Sequence, residues 1–270
     1  MRDGVSTGGA LVRAEHPWTD AQLAGLYDAF SFEGDLPLYL DLAAAEGGRV
    51  LEVACGSGRV LLPLVRAGHR VVGVDSSPHM LALLRDKLSL GPRAAANVRL
   101  AEADMRSFDV LDEGPFDLAI VAVKSFAYLV ERADQQACLR TIAEHLRARG
   151  LLSIDFMHPR PVWLGAESGS MRDDLLQQSQ GVTVSRVESI VSTDLARQVR
   201  VIRSAYEIID AHGTVVGKRF VEWPYRFTFR FEAEHLLERA GFEIEAVYGG
   251  YAREPFTSES ASMVFLARRT

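Results

Sequence analysis

The chain has 270 residues, of which 48% are apolar, 24% charged and 9% aromatic, a globular composition that excludes a disordered, collagenous or coiled-coil chain. Thirty Lys and Arg against 36 Asp and Glu give a formal charge of −6, which offers no general attraction to a nucleic-acid backbone or an anionic membrane. Two cysteines, Cys55 and Cys138, are too few for a disulfide scaffold or a cysteine-based zinc site, the N-terminus lacks the apolar core of a signal peptide, and no run approaches the roughly 20 apolar residues that span a bilayer, so a cytoplasmic location is expected.

The first predicted element is a helix opening at Thr19, with Gln22 completing a capping box and Leu23, Leu26, Tyr27 and Phe30 at helical spacing. From Arg49 short apolar strands alternate with helices. The strands are Val50 to Ala54, Val71 to Val74, Val98 to Ala101, Phe116 to Val123 and Leu151 to Phe156; the helices are Val60 to Ala67, Ser77 to Leu88 and Gln135 to Arg149, the last with Gly150 as its stop. Such alternation builds a parallel sheet from βαβ units. After residue 160 the pattern changes to long strand-like runs, Val182 to Val191, Val199 to Ile209 and Val215 to Phe229, joined by turns such as Asp210-Ala211-His212-Gly213. A helix from Glu232 to Ala240 and strands at Phe242 to Val247 and Met263 to Ala267 resume the α/β pattern. The expected organisation is an N-terminal helix and α/β core over 1–160, an antiparallel β meander over 161–230 serving as substrate lid or dimerisation surface, and a C-terminal completion of the core sheet over 231–270.

The segment Val50-Leu51-Glu52-Val53-Ala54-Cys55-Gly56-Ser57-Gly58-Arg59 carries a buried strand through a Gly-x-Gly turn directly into a helix. Glycines there permit a tight turn and bring a ligand against bare backbone from Ala54 to Arg59, while the helix N-terminus presents unpaired amides. Asp75 ends the next strand about 20 residues on, where a carboxylate accepts hydrogen bonds from both hydroxyls of a ribose. Loop and acid together point to a nucleoside ligand. A dinucleotide fingerprint needs a third small residue where this chain has Leu61, which counts against an NAD-dependent oxidoreductase. Glu52, inside the apolar strand, is costly to bury unpaired and is expected to meet a cationic group or loop amides.

With these residues the sequence resembles the class I S-adenosylmethionine-dependent methyltransferases, whose first motif sets an acidic residue before a Gly-x-Gly loop. Val72-Gly73-Val74-Asp75-Ser76-Ser77-Pro78-His79-Met80-Leu81 is similar to the second motif, which implies Asp75 on the ribose, Ser76 beside the adenine and Met80 among the cofactor contacts. Ala103-Asp104-Met105 is similar to the third, implying an Asp104 side chain and a neighbouring amide on the adenine. Phe116-Asp117-Leu118-Ala119-Ile120-Val121 is similar to the fourth strand, whose end, at Val121, borders the transferring methyl. The resemblance spans residues 20 to 160 and, more loosely, the terminal helix and strands. It implies a Rossmann-like seven-stranded sheet with the final strand antiparallel, and S-adenosylmethionine as cofactor, leaving S-adenosylhomocysteine as product.

Within the family the chain is similar to small-molecule enzymes with an antiparallel insertion, including sugar N-methyltransferases and, more loosely, glycine N-methyltransferase. The former imply a Tyr-Asp pair in the first helix near the acceptor, matched by Tyr27-Asp28, whereas Tyr128 stands where they tend to have His. A sulfonium-bound methyl is already activated, so a neutral amine needs alignment more than a base, and an alcohol or carbon acid needs a general base such as His158 after the fifth strand. The acceptor-side candidates are therefore Tyr27, Tyr128 and His158, for methyl transfer to nitrogen rather than oxygen or carbon of a small molecule. Arg226 and Arg230 read as one strand face for an acidic substrate group or a partner subunit. The long meander strands leave an edge that a homodimer covers. No His pairing at metal-ligand spacing occurs, and neither nucleic acid nor membrane is an expected partner. A protein that keeps the nucleoside pocket without catalysis is the reading from a different class.

Overall fold

The computed structural model describes residues 11–13, 21–30, 32–89, 96–166, 169, 171–179 and 182–270. In chain order these form β1 (Leu11–Arg13), α1 (Ala21–Leu26) running into a 3-10 turn (Tyr27–Phe30), α2 (Leu36–Glu46), β2 (Arg49–Val53), α3 (Leu61–Arg66), β3 (Arg70–Asp75), α4 (Pro78–Ser89) and β4 (Val98–Glu102). There follow β5 (Phe116–Val121), a 3-10 turn (Ser125–Tyr128), α5 (Arg132–His145), β6 (Leu146–Met157), α6 (Pro161–Leu164), β7 (Met171–Ser179), β8 (Val182–Asp194), β9 (Val199–Ile209), β10 (Val215–Arg226), α7 (Arg230–Arg239), β11 (Phe242–Tyr248) and β12 (Ser262–Arg269). Two compact units result, one of Met1–Ser31 and Gly165–Tyr225 and one of Phe32–Leu164 and Arg226–Thr270. No described helix is long and apolar enough to cross a membrane.

The larger unit is a seven-stranded sheet in the order β11-β12-β6-β5-β2-β3-β4, parallel through β4, β3, β2, β5 and β6, with β12 antiparallel to both β6 and β11. This is the Rossmann-like sheet expected from the sequence. Its central strands are buried on both faces, so they read as continuous apolar runs. One face packs Leu51, Val53, Val121 and Ile154 against α5 and α7; the other packs Val50, Leu118 and Ile120 against α2, α3 and α4. Each such fully buried side chain contributes about 1.5–3 kcal/mol.

Two expectations for this unit are corrected. The helix predicted to reach Arg149 ends at His145, and Leu146 already pairs with Phe116. Gly150 is no helix stop but turns the chain inside β6: a Cβ there would lie 2.9 Å from the Arg147 carbonyl oxygen, and Arg149 before it has φ 62°. Helix α2 lay outside the predicted elements altogether. Its sequence, Leu-Pro-Leu-Tyr-Leu-Asp-Leu-Ala-Ala-Ala-Glu, is apolar on nearly every side and carries no helical period.

In the smaller unit the sheet order is β1-β10-β9-β8-β7, with β7, β8 and β9 antiparallel and β1 added parallel to β10. Strand β9 has the predicted bounds, and Asp210 closes the next turn by accepting the backbone N–H groups of His212 and Thr214 at 2.8 and 2.9 Å. The first helix, expected with the core over 1–160, groups here instead. Leu23 and Ala24 are buried, the Phe30 ring meets Tyr206 edge-on at 6.1 Å under the Arg186 guanidinium, and Arg219 donates to Gln22. Thr19, the expected cap, lies outside the described residues. The third meander strand ends at Arg226 rather than Phe229, because Phe229 is extended and donates its N–H to Glu232 at 3.4 Å as the N-cap of α7. Arg226 and Arg230 therefore do not share a strand face. Arg226 donates to the Val130 carbonyl and Glu232, both at 3.1 Å, and Arg230 to Glu234 at 2.8 Å.

Candidate active site

The loop between β2 and α3 is held in left-handed conformations at Ala54 (φ 60°), Gly56 (φ 54°) and Gly58 (φ 88°). Cys55 donates its N–H to the Val74 carbonyl at 3.0 Å, and Gly56 donates to Asp75 Oδ2 at 2.7 Å. Ser77 donates its N–H to the other carboxylate oxygen at 2.8 Å, so backbone from two loops fixes the buried Asp75 at the tip of β3. At Gly56 a Cβ would meet nothing within 4 Å, which leaves open space against the backbone, whereas at Gly58 it would lie 2.3 Å from Leu84 Cδ1. Leu61, the large residue where a dinucleotide fingerprint has a small one, is accommodated by Gly73 on β3. A Cβ on Gly73 would lie 2.6 Å from Leu61 Cδ1 and 2.8 Å from Cys55 Sγ.

Glu52 is 2% exposed, and its Oε2 has no hydrogen-bond partner among the described residues. Burial pushes its carboxyl up to about 8, helped by the like charges of Asp75 and Asp35 and opposed by Arg59 and the Leu61 N–H. Arg59 acts on this carboxyl through its charge, and the amide it meets is that of Leu61 at the start of α3 rather than one of the glycine loop. Arg59 is itself committed to Asp35, a bidentate pair with Nη2 to Oδ2 at 2.7 Å and side chains 6% and 0% exposed, and it also donates to the Phe32 carbonyl. This pair ties the start of α2 to the glycine loop.

On the β3–β4 side Ser76 is exposed, and Met80 is buried with its N–H on Ser77 Oγ at 3.3 Å. Asp104 follows β4, and the sequence did not reveal its partner: Arg106 donates to it from N at 2.8 Å and from Nε at 2.9 Å, and also reaches Asp134 at 3.1 Å. Met105 is half-buried. Val121, in register with Val53 and Ile154, turns its side chain into the core, so its backbone is what it offers at the strand tips.

Beyond β5 the chain is strained. Val123 (φ 55°) and Lys124 (φ 60°) are consecutive left-handed residues without glycine, each costing about 1–3 kcal/mol. Asp155, 1% exposed at the end of β6, accepts the Lys124 N–H at 3.0 Å, lies 3.3 Å from Lys124 Nζ, and takes the Tyr251 hydroxyl. Lys124 Nζ donates to Tyr251 Oη at 3.1 Å, and the Tyr251 ring packs near Phe32 and Tyr39 at 5.8 and 6.4 Å. No spacing in the sequence marks this group, which comes from four separate segments. Tyr128 ends the 3-10 turn after β5 and is half-buried. His158 follows β6, with Nδ1 on the Ser260 carbonyl at 2.8 Å and its ring edge-on to Phe256 at 4.9 Å. A carbonyl partner makes Nδ1 the donor and leaves Nε2 as the basic nitrogen. Tyr27 belongs to the smaller unit, Tyr128 and His158 to the larger.

Residues 50–150 match the family described as a methyltransferase domain. An uncharacterized methyltransferase of Synechocystis sp. is 30% identical over 155 residues, 56% of this chain and 68% of that protein. The chain belongs to the class I S-adenosylmethionine-dependent methyltransferases. This methyltransferase is also 29% identical over 224 residues to the cypemycin N-terminal methyltransferase of a Streptomyces species, 83% of this chain and 84% of that one. Its fold is that of the CcbJ methyltransferase from Streptomyces caelestis, with a TM-score of 0.79 at 23% identity over 95% and 99% of the two chains. The methyltransferase is of the small-molecule type and its methyl donor is S-adenosylmethionine, which sets the nicotinamide alternative aside. The residues present fit that donor. Open space at Gly56, the clamped carboxylate of Asp75 and the unpartnered Oε2 of Glu52 answer to a nucleoside with a cationic tail.

Proposed function

We propose that this methyltransferase transfers a methyl group to an amine nitrogen of a small-molecule acceptor, with the residues at the tips of β2, β3 and β5 holding the donor. The observation that carries the donor side is the clamp of the Gly56 and Ser77 amides on Asp75 beside the open face of Gly56. Bound there, S-adenosylmethionine supplies a methyl group already activated on a sulfonium.

In this reading the backbone at Ala54 and Gly56 admits the donor while Gly58 lets the loop close against Leu84, Asp75 orients the ribose and Ser76 lies beside the adenine. Met80, Asp104 and Met105 border the adenine, with Arg106 fixing the Asp104 carboxylate. Glu52 faces the cationic tail, and Arg59 steadies the loop through Asp35. The Val121 backbone borders the methyl. Transfer is an in-line displacement, so alignment supplies most of the acceleration. On the acceptor side the larger unit offers Tyr128, whose hydroxyl orients the acceptor, and His158. Its Nε2 takes the proton that an ammonium must lose before the nitrogen lone pair can attack. Nitrogen over oxygen or carbon is supported by the likeness to an N-terminal methyltransferase along 83% of the chain.

Calorimetric titration with S-adenosylmethionine, S-adenosylhomocysteine and NAD tests the donor side: micromolar binding of the first two with none of NAD is expected, and the reverse would end the reading. Mass spectrometry on acceptors of matched skeleton, bearing either an amine or a hydroxyl, tests the nitrogen assignment. With the acceptor in hand, His158→Ala is expected to slow turnover at neutral pH and to recover at alkaline pH, where the amine loses its proton unaided; a parallel loss at all pH values would remove His158 from that role.

A further inference from the structure

Tyr39 is 1% exposed, yet its hydroxyl has no hydrogen-bond partner among the described residues. Its neighbour Tyr251, 6.4 Å away ring to ring, is fully engaged with Asp155 and Lys124. Burying a hydroxyl unpaired is costly, and a phenylalanine would fill the same apolar volume without that cost. Glu52 Oε2 is orphaned in the same layer, since Glu52 alternates with Leu51 and Val53 and so faces the side on which Val50 and Tyr39 pack. The phenol stands in the field of Asp155, Asp35 and Glu52, with Arg59 as the counter-charge. That is an environment for a cation that donates N–H groups.

The strand order says which end of the donor reaches it. Asp75 ends β3, Glu52 lies on β2, and Lys124 and Asp155 follow β5 and end β6, in the sheet order β3-β2-β5-β6. A donor with its ribose at Asp75 extends its other end past Glu52 toward β5 and β6, where Tyr39 packs beside Tyr251. We propose that Tyr39 is a donor-binding residue, its hydroxyl oxygen accepting an N–H of the α-ammonium at the amino-acid end of S-adenosylmethionine, shared with Glu52. This rests on the donor placement proposed above.

The test is calorimetry on the full chain and its Tyr39→Phe variant with S-adenosylmethionine, S-adenosylhomocysteine and 5′-methylthioadenosine, which keeps the nucleoside and the sulfur but lacks the amino-acid end. Tyr39→Phe is expected to lose about tenfold in affinity for the first two, about 1.4 kcal/mol, and to stay within about twofold of the parent for the third. The ligand-free variant is expected to melt no lower than the parent, because only an unpartnered hydroxyl has gone. Unchanged affinity for S-adenosylhomocysteine, an equal loss on all three ligands, or a lower ligand-free melting temperature would each overturn the role of Tyr39. Failure of the parent protein to bind S-adenosylhomocysteine at all would instead bring down the donor placement together with it.

Discussion

Glu52 carries a proton at neutral pH in the ligand-free protein, because burial raises its carboxyl to about 8. Its folded value lies above the unfolded one of 4.5, so the folded chain binds the extra proton between those values, and its contribution to stability falls as pH rises across that window. Glu52→Gln is expected to flatten that slope in denaturant titrations at pH 5 and pH 8. A cationic ligand tail beside Glu52 favours the carboxylate, so donor binding expels a proton; calorimetry at pH 7 in two buffers of different ionisation heat is expected to show the release in the parent and not in Glu52→Gln. Asp75→Ala is expected to weaken donor binding by about 1.5–3 kcal/mol, and unchanged affinity would remove Asp75 from the site. Glu52, Gly56, Gly58 and Asp75 were legible in the sequence because they belong to short motifs whose geometry is local. Tyr39, Lys124, Asp155 and Tyr251 were not, since only the tertiary fold brings α2, the β5 turn, β6 and the β11–β12 loop to one place.

At the scale of elements, the strands announced themselves through apolar runs with glycine between them, while α2 did not. Its residues are apolar almost all round because α2 presses on the sheet with Leu38, Tyr39, Leu42 and Ala43, and a helix without a polar face has no period to read. The end of α5 is hidden for the opposite reason: Gly150, a stop signal in the sequence, belongs to a bend within β6, and the helix ends at His145. Leu61 shows how one position hides another: the space that a small residue would leave on α3 is instead left by Gly73 on β3. Gly73→Ala is expected to cost about 1–3 kcal/mol through overpacking. Combined with Leu61→Ala it is expected to cost less than the two single changes together, a coupling that urea melts of the four proteins measure. Additive costs would show that the two side-chain positions do not compete for one volume.

For the whole molecule, every donor-side residue named above lies in the larger unit, although that unit is built from two stretches of chain, Phe32–Leu164 and Arg226–Thr270. Saturation with S-adenosylhomocysteine at 100 times its Kd is expected to stabilise that unit by about 2.7 kcal/mol. Hydrogen exchange reads this directly, with slowed exchange at Gly56, Ser77 and the ends of β5 and β6, and unaltered exchange there would contradict the donor placement. The division also sets the order in which the protein can be completed during synthesis. Strand β1 pairs with β10 at Leu11 to Phe220, so on the ribosome β1 waits for its neighbour over about 200 residues, or about 10–40 s at ordinary elongation rates. Until then the backbone of Leu11–Arg13 has no sheet to join, and a nascent chain arrested before residue 215 is expected to be cut by protease at Leu11–Arg13 more readily than the finished protein.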